Sequence, residues 1–251
     1  MTSTRGATTV QQMMERAQAA LHRNQWFEAE RMSMRALEMA RAARDFTLMA
    51  RITLPLQEAR RQRLQLAFDA NNFRIVDEPF GEEVRVDAGC YLVQPPLVGA
   101  DARRLRLAAL DQEVPAAILC REPLTKTRLC PIVAIGQLTI RTKVAPPKHW
   151  DHPTLDWLAA ALEALGDAAI ETLDRDCDPI RLVDALLARL DGMPDHEKLH
   201  QELAHACREA ARAIAEGRVS AQGDQPAADA FEEDAEVDPL IDQADEDEPT
   251  K

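Results

Sequence analysis

Small and apolar residues recur at helical spacing from Val10 to His22 and again from Trp26 to about Arg44, with Asn24-Gln25 supplying a turn between them. In the second stretch Ala29, Ser33, Ala36 and Ala40 fall at steps of four, three and four. That spacing puts small side chains on one helix face and lets a neighbouring helix approach closely. A third helical stretch opens after Asp45, a good N-cap residue, with Leu48, Ile52, Leu56 and Ala59 on one face. Pro55 removes a backbone donor and crowds the carbonyl of Arg51, so a bend is expected there, with the helix resuming from Leu56 to about Ala70.

From Phe73 the pattern becomes extended. Val84-Arg85-Val86 alternates, Asp87-Ala88-Gly89 has turn chemistry and Cys90-Tyr91-Leu92-Val93 is an apolar run, which together predict a hairpin ended by Pro95-Pro96. Asp101 caps a short helix to about Leu110 that turns Leu105, Ala108 and Ala109 inward and leaves Arg103, Arg104 and Arg106 in water. Residues 116–120 and 131–135 read as buried strands, residues 138–144 alternate, and Gly136-Gln137 joins the last two. This describes a small mixed sheet with one crossover helix. After the Pro146-Pro147 connector, helices resume. One runs from Thr154 to about Leu173, one opens at Asp178-Pro179 and ends near Gly192, and one runs from Pro194 to about Glu216. From Ser220 core formers become scarce, which predicts disorder.

The expected fold class is therefore α+β. Residues 1–9 are expected to be disordered, 10–72 to form an N-terminal helical hairpin plus a third helix, 73–146 a small mixed β-sheet domain, 147–218 C-terminal helices, and 219–251 a disordered acidic tail.

Charge sharpens this division. The net −13 is concentrated in residues 224–251, where 12 acids face the single base Lys251. The preceding 223 residues hold 31 acids and 29 bases. Residues 1–73 carry net +4 and residues 149–223 net −8, so the chain runs from a mildly basic start to an acidic end. The cysteines Cys90, Cys120, Cys130, Cys177 and Cys207 are odd in number and widely spaced, without a C-x₂-C pair, which points to reduced thiols rather than disulfides or a zinc finger. With no apolar N-terminal segment and no long apolar run, the expectation is a cytoplasmic protein with no membrane partner and no cofactor.

Residues 13–43 add a finer pattern, with small residues at Ala17 and Ala20, an aromatic at Trp26, alanines at Ala29 and Ala36, and then Leu37. This set resembles a single tetratricopeptide-type helical hairpin. It departs from that family at Asn24, where a turn glycine is usual, and at Arg41, where proline is usual, and no second copy follows at a 34-residue period. The resemblance implies a non-enzymatic protein–protein interaction or adaptor role. In that reading Trp26, Phe27, Arg35, Arg60, Arg61 and Arg63 border a groove for an acidic protein segment, from a partner or from the chain's own tail. There Phe231, Val237, Leu240 and Ile241 punctuate the acids, a composition that suits a linear motif and a solubilising tail equally. The arginines lack the interleaved aromatics that single-stranded nucleic acid requires.

The competing class is a small-molecule-binding or enzymatic domain in the middle sheet, rimmed by residues 95–101 and 121–128, where Lys126, Thr127 and Arg128 cluster. His196-Glu197-Lys198-Leu199-His200 also satisfies H-E-x-x-H, the zinc-peptidase pattern. Charged Asp195 and Lys198 mark that helix as exposed, without the required apolar cleft, and no third ligand follows at a suitable spacing. The sequence therefore assigns no metal or catalytic residues.

Overall fold

Two turns of the same hydrogen-bond pattern shape the first part of the chain. In the computed structural model, which describes residues 2–81 and 83–219, they link α1 (Thr2–His22), α2 (Trp26–Ala42) and α3 (Phe46–Asp69). The Gln25 N–H donates to the Ala20 carbonyl and, twenty residues on, the Asp45 N–H donates to the Ala40 carbonyl, each at 2.9 Å. Each turn contains one left-handed residue, Asn24 at φ 60° and Arg44 at φ 53°. Asparagine tolerates that region better than most residues, so Asn24 can stand where a glycine would otherwise be used. Asp45 caps α3 by accepting from the Leu48 N–H at 2.9 Å. Ala17, Ala20, Ala29, Ser33, Ala36, Ala40 and Ala59 are all buried, as the small-residue spacing requires. Helix α3 runs through a buried Pro55 as one element. Helix α1 begins at Thr2, ahead of Val10 and inside the segment expected to be disordered.

The middle of the chain supplies β1 (Phe73–Val76), β2 (Gly89–Val93), α4 (Gly99–Asp111), β3 (Ala116–Arg121), β4 (Cys130–Ile135) and β5 (Thr139–Val144), in the sheet order β1-β2-β3-β4-β5. The first three strands are parallel, with Phe73 opposite Cys90 and Cys90 opposite Ala117, and the last two are antiparallel additions. Side chains alternate between two cores. Cys90, Leu92, Ala117, Leu119 and Ile132 pack with α3 and the C-terminal helices, while Tyr91, Val93, Cys120 and Val133 pack with α4 on the other face. Burial on both faces explains why β2 reads as an unbroken apolar run.

The expected hairpin between residues 84–86 and 90–93 does not form. β2 pairs with β1 instead, through a parallel register that a tight turn cannot connect. Gln112, just past α4, takes the place of a strand partner. Its side-chain amide donates to the Val84 carbonyl at 2.7 Å and accepts from the Val86 N–H at 3.1 Å. Gly89 begins β2 at φ 149° with the Asn72 backbone against it, where a Cβ would overlap the Asn72 carbonyl.

Three helices complete the fold: α5 (Leu155–Glu171), α6 (Pro179–Gly192) and α7 (Glu197–Ala215). Thr154 and Asp178 cap the first two, accepting from Trp157 N–H at 3.2 Å and Ile180 N–H at 2.8 Å. α7 starts at Glu197 rather than Pro194, because Met193–His196 is spent on a turn closed by the His196 N–H. α3 and α7 pack against each other, so segments 10–72, 73–146 and 147–218 contribute to one hydrophobic core. The result is an α+β fold with a mixed five-stranded sheet. All five cysteines are free. Among the described residues no helix is long and apolar enough to cross a membrane. The expectation for the tail, from Ser220 on, lies outside the described residues.

Candidate ligand cleft and histidine–carboxylate cluster

Glu30 follows Ala29 on the close-packed face of α2 and is buried with it. Arg60 and Arg63, three apart on α3, turn inward to meet it. Arg60 Nε donates to Glu30 Oε1 at 2.8 Å, and Arg63 Nε lies 2.9 Å from Oε2. Arg63 also donates to Asp195 Oδ1 at 3.1 Å, and its guanidinium sits 5.1 Å from the centre of the Phe27 ring. Burial opposes ionisation of Glu30, but Arg60 and Arg63 outweigh it and hold the carboxyl below its ordinary range. For Asp195 burial prevails over Arg63 and its pKa rises.

Of the residues nominated as a partner groove, the structure thus gathers Phe27, Arg60 and Arg63, but around internal carboxylates. Arg61 lies on the surface with Glu58 at 2.8 Å, Arg35 is exposed, and Trp26 is half-buried at the start of α2.

Beside this network opens a cleft of about 230 Å³. Leu64 and Phe68 of α3, Ile118 of β3, Leu162 of α5 and Met193 form apolar walls, and Arg106, Asp195, His196 and Glu163 contribute the polar groups. Arg106 is not in water as the sequence suggested. It reaches the end of α6, where its Nη2 donates to the Asp191 carbonyl at 2.7 Å, one of the last-turn carbonyls that a helix leaves without partners. Among the described residues it has no carboxylate at ion-pair distance. Burial lowers its pKa, and the fields of Asp195 and Asp191 offset this only in part. The helical spacing held a signal for this. Arg106 is four residues after Ala102 and three before Ala109, both buried, so it shares their face.

At one end of the cleft His196 caps α7 without a side-chain hydrogen bond. Its imidazole packs directly on Gly166 of α5, where any Cβ would overlap the ring. Nε2 lies 3.4 Å from Glu163 Oε2 and 3.5 Å from Asp167 Oδ1. Burial lowers the His196 pKa against the pull of those two carboxylates. Lys198 Nζ covers the same pair, 2.7 Å from Glu163 and 2.9 Å from Asp167.

The H-E-x-x-H segment does not assemble as a zinc-peptidase site. His200 Nε2 donates to the Pro194 carbonyl at 2.8 Å, and Glu197 accepts from Gln57 and Gln201 at 3.1 Å each. The sequence was nevertheless misleading about its surroundings, since both histidines are buried and His196 borders an apolar cleft. The two middle-sheet loops lie away from this cleft. Residues 95–101 run into α4, with Asp101 accepting from the Val98 N–H at 2.9 Å. Lys126, Thr127 and Arg128 are exposed in a loop closed through Thr125, and neither segment lines the cleft. At the end of β3 Arg121 is fully buried, stacked 3.7 Å from the centre of the Trp150 ring and bonded to Gln94. The chain has no match among protein-family models, curated proteins or solved structures.

Proposed function

We propose that this is a non-enzymatic binding protein that holds a small organic anion in the cleft between α3, β3 and α5. The observation that carries the reading is Arg106, a desolvated guanidinium without an ion-pair partner among the described residues, facing apolar walls. An amphipathic carboxylate matches both halves of the site. At about 230 Å³ the cleft is smaller than the roughly 300–1,000 Å³ of sites for drug-sized ligands, which favours a compact molecule. The free thiols, four of them buried, fit a reducing cytoplasmic setting.

The test is calorimetric titration with a panel of small aliphatic and aromatic carboxylates and their amides. Carboxylates are expected to bind and amides to fail. Arg106→Met should weaken binding at least about tenfold, because a hydrogen bond to a charged group is worth roughly 1.5–3 kcal/mol. Equal binding by Arg106→Met, or no binding across the panel, would overturn the assignment.

A second surface supports the adaptor reading, at other residues than Trp26 or Arg60. Leu54, beside Pro55, is 70% exposed in a groove between α1, α3 and α7. Arg51 and Arg208 border it, both exposed and neither paired with a carboxylate among the described residues. This chemistry suits an acidic, apolar-studded segment of a partner protein. A labelled peptide of that composition should bind in a salt-dependent manner and lose binding in Leu54→Asp. Indifference to that substitution would refute the surface.

A further inference from the structure

The arrangement of His196 on α5 has a chemistry separate from the cleft's organic ligand. Glu163 and Asp167 are four residues apart on α5, so both carboxylates stand on one face, and Gly166 between them makes room for the imidazole. The donor atoms of the three residues lie within 4.8 Å of one another. An acidic pair alone would be ordinary surface. Here, however, the histidine side chain is only 2% exposed, and both ring nitrogens are shut off from water with no well-formed hydrogen bond among the described residues beyond a marginal contact to the Glu163 backbone. Buried polar atoms are rarely left in that condition.

The two histidine–carboxylate spacings fit an ion. A metal about 2.1 Å from each donor at the tetrahedral angle requires donors roughly 3.4 Å apart. His196 Nε2 stands 3.4 Å from Glu163 Oε2 and 3.5 Å from Asp167 Oδ1. We propose that Glu163, Asp167 and His196 bind a divalent transition metal of the zinc class, with Lys198 as the counter-charge it displaces.

The donor set of one imidazole and two carboxylates is what zinc-class ions accept, and it leaves room for water or an exogenous ligand. The site shares only its first histidine with the H-E-x-x-H pattern. Lys198 completes the logic. Its ammonium bridges both carboxylates and offsets one of their two charges, yet the side chain is 51% exposed and can swing into solvent. A divalent ion competes for those oxygens with twice the charge and the added imidazole nitrogen.

The experiment is zinc titration of the full-length chain at pH 7.5 against a chromophoric chelator, paired with cobalt substitution to read four-coordinate absorption bands. One equivalent is expected to bind. Lys198→Met should tighten it about tenfold by removing the competitor, whereas Glu163→Gln and Asp167→Asn should each weaken it at least tenfold in either background. Both carboxylates are substantially exposed, so the metal-free melting curves of these variants serve as the folding control. Zinc held no more tightly by Lys198→Met than by the wild type, or equally well by Glu163→Gln and Asp167→Asn, would overturn the site. A silent carboxylate panel with intact zinc binding would sink the cleft ligand and leave the metal site standing.

Discussion

His200 shows how much one buried side chain can decide. It donates to the Pro194 carbonyl, and burial pushes its pKa down to about 3. Between an unfolded value near 6.5 and the folded one, the unfolded chain binds a proton that the native imidazole refuses. Stability therefore falls as pH falls through that window, by roughly 1 kcal/mol per pH unit. His196, also lowered, acts in the same sense. Glu30, held low by its arginines, adds a loss only as pH drops below the ordinary glutamate range, and Asp195, held high, works against both. His200→Gln can retain the donor while removing the titration. Urea midpoints measured from pH 7.5 to 5 should show a flatter slope for the variant, and an unchanged slope would assign the effect elsewhere. Spacing places Arg106 on the face of Ala102 and Ala109, but nothing local names its partner, the Asp191 carbonyl 85 residues away. For the same reason Asp195 reads as surface charge until Arg63 is brought beside it.

Elements were the most legible level, and their failures have a common cause. The three N-terminal helices, the strands β2 to β5 and the cap Asp45 follow from period and capping chemistry. What could not be read was pairing. Val84–Val86 has a strand's alternation but receives its hydrogen bonds from Gln112, while Phe73–Val76 takes the place beside β2. Gln112→Ala should leave the β2 amides protected and release the Val86 amide to fast hydrogen exchange. Continued protection at Val86 would show that some other group holds the segment. His196 likewise caps α7 rather than sitting inside it, which removes the one-face geometry that H-E-x-x-H needs.

At the scale of the molecule, the N-terminal hairpin is part of a body that the chain closes late. The turn repeated at Asn24 and Arg44 builds three helices, and the series then passes into a sheet rather than a superhelix. Composition and period could show helices at both ends of the chain. They could not show that α3 and α7 share an interface, because that contact depends on how the sheet folds between them. The Gln57–Glu197 hydrogen bond on that interface spans 140 positions. Synthesis at roughly 5–20 residues per second separates the two residues by about 7–28 s. Throughout that interval the apolar face of α3 has left the ribosome without its cover, which makes it the surface most open to aggregation until the last helix arrives.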